Sequence, residues 1–133
     1  MDIKFEGLDE LVKALDKTGF DSEKKIRRHL NKQGRNFIEK AKENTPVGAK
    51  GKLKESYSSM NVKRNFKDYE KPIRNKSPYH HLVNNGHVQV DKSGKSVGFV
   101  PGRFYIEETV AQTEDEFYQE TEDFLGELFE ELV

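Results

Sequence analysis

The segment that decides the fold extends from Tyr79 to Val110 and has the sequence YHHLVNNGHVQVDKSGKSVGFVPGRFYIEETV. A short apolar turn ends at Asn-Asn-Gly. Two alternating apolar runs, Val88–Val90 and Ser96–Val100, then flank a turn that contains Ser-Gly, which predicts a β-hairpin. A Pro-Gly break follows, after which the apolar spacing becomes that of a helix. We therefore expect a helical turn, a hairpin and a long helix, in this order.

The C-terminal segment predicts one long helix. Apolar residues recur at helical spacing from Tyr105 to Leu132, and at 1.5 Å per residue such a helix is about 42 Å long. A compact domain of this chain length is roughly 36 Å across. The helix end would therefore project, kink near Gly126 or bury its apolar residues on another molecule. We expect an assembly interface there, formed by Phe124, Leu125, Leu128 and Phe129.

Two more helices are expected upstream. Apolar residues at helical spacing predict a short helix over Leu8–Leu15 and a longer helix over Ser22–Asn44, which the Thr45-Pro46 pair ends. Gly34 lies on the apolar face of the longer helix. A glycine in that position indicates the close approach of another backbone.

Loops and strands are expected between the helices. Glycines and lysines from Val47 to Lys54 indicate an exposed loop, and we expect the segments 47–53 and 88–100 to be mobile. Alternating residues predict a strand within Ser56–Phe66. A second strand is expected near Tyr69–Asn75, at an edge or irregular, because Pro72 lacks a backbone donor.

These elements predict one α+β domain over residues 1–133. In it, two N-terminal helices and the long C-terminal helix pack on a small antiparallel β-sheet. Hydrophobic residues make up 33% and charged residues 35% of the 133 residues, so the core is thin. There is no Cys, which excludes disulfide and thiolate chemistry. No apolar run has the length of a membrane span, and no membrane association is expected.

Charge is segregated along the chain. Residues 21–76 contain 17 Lys/Arg and 7 Asp/Glu, whereas residues 107–133 contain 11 Asp/Glu and no Lys or Arg. Two interpretations are compatible with this pattern. The charges could simply solvate two helix faces, or a basic and an acidic helix could attract each other within one subunit or between neighbouring subunits.

Histidines are the first candidates for a chemical role. His80, His81 and His87 lie close together in sequence, which suggests a metal site, but adjacent side chains point apart and no His pair has metal-ligand spacing on a helix. We expect one exposed, one packed and one turn histidine instead. His29 is expected to be solvated on the polar side of its helix. Nucleophile, phosphate-loop and dinucleotide motifs are all missing from the sequence, so we expect no cofactor and no enzymatic activity.

A basic segment over residues 50–76 suggests a second class of function, a cytosolic module that binds nucleic acid. Lysines and arginines could contact phosphates while interleaved aromatic rings stack on bases. The whole-chain isoelectric point of about 6.4 is unlike that of a dedicated nucleic-acid-binding protein. The residues concerned are Lys50, Lys52, Lys54, Lys63, Arg64 and Lys67, with Tyr57, Phe66 and Tyr69.

The order of these motifs resembles the tail-completion, or minor tail component, proteins of long-tailed bacteriophages. The resemblance covers roughly residues 8–110. That family usually has an acidic residue two places before the glycine of its Tyr-x-x-x-Val-x-x-Gly block, where this chain has Asn84. The matching residues are Pro46, Gly51, Leu53, Ser56, Tyr79, Val83, Gly86, Pro101 and Phe104.

The resemblance implies a structural virion protein that joins the tail to the head-side connector. It implies a ring of identical subunits, a hexamer in this family, in contact with connector and tail-tube proteins. The protein would be found in the tail or neck of the virion, and in the host cytoplasm during assembly. Lys50, Lys52 and Lys54 would then face a docking partner or the DNA that passes through the ring. A small regulatory binding protein is a third interpretation of the same sequence.

Overall fold

A computed structural model describes residues 2–5, 20–47, 52–65 and 68–132. Within these ranges the chain has an α+β fold. The predicted helix over residues 8–15 lies outside the described residues, and the N-terminal strand was not predicted. In chain order the elements are β1 (Asp2–Phe5), α1 (Phe20–Asn44), α2 (Lys52–Glu55), β2 (Tyr57–Ser59), β3 (Lys63–Arg64), β4 (Tyr69–Asn75), α3 (His80–Asn85), β5 (Gly86–Val90), β6 (Ser96–Pro101) and α4 (Tyr105–Leu132).

Strand β4 is the centre of a four-stranded antiparallel sheet. β1 pairs along one side of it, with Phe5 opposite Tyr69. β2 and β3 follow each other along the other side, with Ser59 opposite Ile73 and Lys63 opposite Glu70. The expectation that Pro72 places this segment at an edge is therefore wrong.

The backbone around Pro72 shows why a proline is tolerated here. The carbonyl of Pro72 accepts a hydrogen bond from Met60 N at 2.9 Å. In a strand, the N–H and C=O of one residue point to the same side, so the missing donor of Pro72 faces the break between β2 and β3. The single strand predicted over residues 56–66 is divided at this break.

Helix α1 packs on the face of β4 that carries Tyr69, Lys71 and Ile73. The core consists of two clusters of buried residues along this contact. The first contains Ile26, Leu30, Val62, Tyr69 and Leu128, and the second contains Phe37, Ala41 and Ile73. Burial of such side chains stabilises the fold by about 1.5–3 kcal/mol each.

Gly34 is close to a side chain, not to the backbone that we expected. A Cβ at Gly34 would lie 3.1 Å from Cγ of Lys71. The alkyl part of Lys71 crosses α1 at this glycine, and its Nζ donates to Met60 O at 2.7 Å. Burial, aided by the nearby charge of Arg35, lowers the pKa of Lys71.

Helices α1 and α4 pack antiparallel, so the basic and acidic segments of the chain meet within one subunit. Polar contacts follow the whole contact line. Lys25 pairs with Glu131, Gln33 Nε2 donates to Glu120 at 2.6 Å, and Asn44 Nδ2 donates to Gln112 at 2.8 Å. The intramolecular form of the predicted charge attraction is therefore present.

The predicted exposed loop over residues 47–54 is only partly a loop. Lys52–Glu55 form one helical turn. The turn is fastened to the sheet, since Asn75 Nδ2 donates to Leu53 O at 2.8 Å. No helix in the described ranges is long and apolar enough to cross a bilayer.

Candidate assembly surfaces

Two glycines pack against each other where the hairpin of β5 and β6 joins the domain. Gly86 has φ of +86°, and a Cβ there would lie 2.7 Å from Gly102 N. A Cβ at Gly102 would lie 2.5 Å from Asn84 O. Backbone hydrogen bonds hold the contact, from Arg103 N to Val83 O at 2.9 Å and from Phe104 N to Asn84 O at 3.0 Å. The predicted turn at Gly86 is thus confirmed, whereas the sequence marks Gly102 only as part of a Pro-Gly break.

Asn84 caps the first turn of α4 from outside that helix. Its Oδ1 accepts a hydrogen bond from Ile106 N at 3.0 Å. Its Nδ2 donates to both carboxylate oxygens of Glu107, at 3.2 Å and 3.1 Å. A carboxylate at position 84 could accept the first bond but would repel Glu107. The neutral amide therefore suits this helix start, where Glu107 already supplies negative charge.

His80 belongs to the same junction. Its Nδ1 lies 2.6 Å from the hydroxyl of Tyr105, and the two rings meet edge to face with centroids 5.6 Å apart. Burial lowers the pKa of His80 and raises the pKa of Tyr105. His81 is exposed. Among the described residues there is no group of three His, Asp or Glu side chains that could hold a metal ion.

The predicted hairpin is present and one of its faces is apolar. Val88 pairs with Phe99 and Val90 with Ser96, with an irregularity between Gln89 and Val90. Alternate residues of paired strands share a face, so Val88, Val90, Val97 and Phe99 lie together. These four side chains are between 56% and 63% exposed. A two-stranded sheet is marginally stable on its own, so this face is the natural place for a covering surface.

One side chain bonds across the hairpin turn. Oδ1 of Asp91 accepts hydrogen bonds from Ser93 N at 2.9 Å and from Lys95 N at 3.0 Å. Bonds from Ser93 and from backbone N–H groups lower the pKa of Asp91. The charged ends of Lys92 and Lys95 are exposed beside it.

A groove opens between α1 and α4 above strand β4. Its volume is about 380 Å³. Its apolar lining is contributed by Phe37 and Ile73 from inside and by Val110, Phe117 and Tyr118 from α4, and charged residues at the groove include Lys40, Glu114 and Glu116. Val110 and Tyr118 are exposed. No residue of the hairpin lines the groove of its own chain.

The end of α4 differs from the exposed interface that we expected. Leu128 is only 2% exposed and belongs to the core of the subunit. Phe124 and Leu125 are partly buried against that core. Phe129, at 40% exposed, is the member of the four that points to solvent. The prediction fails at Leu128 because α1 extends far enough to cover this part of α4.

His29 is not solvated, contrary to the sequence expectation. It is half-buried between α1 and α4, where Nε2 lies 2.9 Å from the hydroxyl of Thr121 and the ring stacks on Phe124. Burial lowers its pKa. The opposing helix, which the sequence of α1 alone does not reveal, explains the error.

The two described aromatic residues of the basic segment, Tyr57 and Tyr69, are not placed to stack on bases. Tyr69 is fully buried. Tyr57 is half-buried, and its hydroxyl lies 2.7 Å from Oγ1 of Thr45. Lys52, Lys63 and Arg64 are exposed and Lys54 is half-buried, while Lys50, Phe66 and Lys67 lie outside the described residues. The described part of this segment therefore offers charges without the rings that nucleic-acid stacking requires.

Residues 9–86 match a family model described as "Bacteriophage HK97-gp10, putative tail-component". The chain belongs to this HK97-gp10-like family. Membership indicates a structural component of the phage tail, and with it a place in the virion. No curated protein and no solved structure gives a match.

The family match ends at Gly86, the first residue of β5. It includes α1, strands β2 to β4 and α3, whereas the rest of the hairpin and α4 follow it. Among the matching residues, four are the glycines and prolines at turns: Pro46 follows the end of α1, Gly86 and Pro101 close the base of the hairpin, and Gly51 lies outside the described residues. The exposed apolar surfaces of this family member thus lie mainly C-terminal to the matched segment.

Proposed function

We propose that the chain completes the phage tail and joins it to the head-side connector as a ring of identical subunits. Membership in a family of tail components supports the virion role. The observation that supports a ring is the presence of two different apolar surfaces on one chain, the hairpin face and the groove. Contacts between unlike surfaces repeat from subunit to subunit, and they close into a ring when the rotation allows it.

The proposed role depends on shape and charge and involves no catalytic step. A rigid subunit supplies the ring contacts, and charged loops contact the connector on one side of the ring and the tail tube on the other. Lys52 and Lys54, with Lys50, would contact an acidic partner surface or the DNA that passes through the ring. Phe129, exposed at the end of α4, would contact the connector or the tail tube.

Electron microscopy of particles made without this protein tests the function. Cells in which the gene is disrupted should produce filled heads and finished tails that are not joined, and a plasmid copy should restore whole virions. Antibody labelling of normal virions should place the protein at the junction between head and tail. Joined, infectious particles in normal number without the protein would refute the proposal.

A further inference from the structure

We propose that the apolar face of the β5–β6 hairpin inserts into the α1–α4 groove of a second copy of this chain. This inference rests on the ring of identical subunits proposed above, and it names the two surfaces that meet. The hairpin face is defined by Val88, Val90, Val97 and Phe99. The groove is defined by Phe37, Ile73, Val110, Phe117 and Tyr118.

The two surfaces match in size. Two residues along a strand span about 7 Å, and neighbouring strands are about 5 Å apart, so the four hairpin side chains form a compact patch. The groove follows α4 from Val110 to Tyr118, which is about 12 Å of helix. Its volume of about 380 Å³ is within the range of sites that take up an apolar group of ligand size. Phe99, the largest of the four, is the natural anchor.

The two surfaces also match in charge. The hairpin turn carries exposed Lys92 and Lys95, and the single carboxylate there, Asp91, is occupied with turn hydrogen bonds. On its α4 side the groove is lined by Glu114 and Glu116, on a helix whose residues 107–133 contain no Lys or Arg. The two lysines of the lining are engaged elsewhere, since Lys40 pairs with Glu43 and Nζ of Lys71 donates to Met60 O. Lysines beside the apolar face would therefore meet carboxylates beside the groove, which favours one orientation of docking.

A second copy is the occupant that these observations favour. The hairpin face and the groove are on the same chain but do not meet within it, since no hairpin residue lines the groove. The hairpin face of one subunit can therefore fill the groove of the next subunit. The contact is unlike on its two sides, as a ring requires.

Engineered cysteines test the contact directly, because the chain has no cysteine of its own. Full-length Phe99→Cys is mixed with Tyr118→Cys or with Val110→Cys and oxidised. A disulfide-linked dimer should form in at least one mixture, since bridging requires close Cβ atoms. Gln89→Cys, on the opposite hairpin face, and Gln119→Cys, outside the groove lining, are the matched controls. Absence of a linked dimer above the control level would overturn the inference.

Charge exchange gives a second, independent readout. Sedimentation should show self-association weakened about tenfold or more by Phe99→Asp, and unchanged by Gln89→Asp. Lys92→Glu with Lys95→Glu should weaken association, and Glu114→Lys with Glu116→Lys in the partner copy should restore it. Weakening without restoration would overturn the pairing of these charges, and with it the proposed orientation.

Two outcomes would assign the surfaces to other occupants and overturn the inference. A disulfide within one chain between Leu11→Cys and Tyr118→Cys would show that residues 6–19 fill the groove. Normal self-association of Phe99→Asp together with its loss from virions would show that the hairpin binds another virion protein. In that second case the tail-completion function would stand. Joined virions without the protein would instead refute the function, even if the cysteine link formed.

Discussion

The imidazole ring of His29 on α1 lies flat against the phenyl ring of Phe124 on α4, with centroids 4.3 Å apart and planes inclined by 5°. The Nε2 atom also reaches the hydroxyl of Thr121 at 2.9 Å. Burial lowers the pKa of His29 from its ordinary value of 6.5, with Glu120 acting against this shift and Lys32 adding to it. The contact between the two long helices therefore prefers an uncharged imidazole.

The first prediction is that the α1–α4 contact weakens in mild acid. Because the folded pKa of His29 is lowered, the unfolded chain binds the proton more tightly. The contribution of the neutral His29 to the free energy of unfolding is therefore complete above about pH 6.5, and it is lost as the pH falls through the folded pKa. His29→Gln should therefore lower Tm more at pH 8 than at pH 5. His80 is also half-buried, and burial lowers its pKa, so His80→Gln measures the separate share of His80 in the same pH dependence. An equal loss at both pH values would contradict the prediction.

The second prediction concerns the cap at Asn84. Asn84→Ala removes the acceptor for Ile106 N and should cost about 1–2 kcal/mol. Asn84→Asp keeps an acceptor but places a carboxylate beside Glu107, so it should also destabilise the fold at pH 7. Glu107→Gln in the same chain should recover part of that loss. A double-mutant cycle by urea unfolding measures the coupling, and a coupling of zero would show that the two side chains act independently.

Alanine substitutions should have opposite effects on stability at a glycine of the hairpin base and at a glycine on the surface of α4. Gly102→Ala would place a Cβ 2.5 Å from Asn84 O and should destabilise the junction strongly. Gly126→Ala, where a Cβ would meet nothing within 4 Å, should stabilise α4 by about 0.5–1 kcal/mol. Thermal unfolding of the two variants measures this contrast. Similar Tm values for both would refute the close packing at Gly102.

Substitutions at two neighbouring residues near the end of α4 should have different effects, one on stability and the other on binding. Leu128→Ala leaves a cavity in the core and should cost about 2–5 kcal/mol of stability. Phe129→Glu should change stability little while weakening binding to the connector or tail tube. Urea unfolding and co-sedimentation with those partners separate the two effects. Loss of cooperative unfolding in Phe129→Glu would place that residue in the subunit core instead.

The hairpin should exchange its amide hydrogens unevenly in the isolated subunit. Amides over 88–100 should exchange quickly, because the strands form a two-stranded sheet with an exposed apolar face. Arg103 and Phe104 should be protected by their bonds to α3. Assembly should slow exchange over 88–100. Strong protection there in the free subunit would contradict the predicted mobility. The same experiment tests residues 47–53.

Local patterns were sufficient to predict the elements with a regular period. Helix α4 has the predicted limits, Tyr105 and Leu132, because its apolar stripe has a helical period throughout. The hairpin followed from alternating residues about a turn, and Gly86 from its place after a helical turn. The family resemblance, first noted from the order of such turns, is confirmed over residues 9–86.

Contacts between distant segments could not be predicted in this way. Strand β4, which contains Pro72, is a central strand because β1 pairs along the side of β4 that β2 and β3 leave open. β1 is far away in sequence. His29 and Leu128 are buried because α1 and α4 cover each other, although each looked exposed within its own helix. Period-two alternation could have identified the apolar face of the hairpin, since Gln89 and Gly98 separate its valines and phenylalanine. The alternation does not indicate what would cover that face, because the pattern of one chain carries no information about a second molecule.

The contact between Gly86 and Gly102 has a consequence for larger assemblies. These residues, with the bonds from Arg103 and Phe104 to α3, set the direction in which the hairpin leaves the domain. A ring closes only if every subunit turns its neighbour through the same angle. The curvature of an assembly held by this hairpin would then be encoded at two residues without side chains. A methyl group at either one would change the pitch, and an open spiral would replace a closed circle.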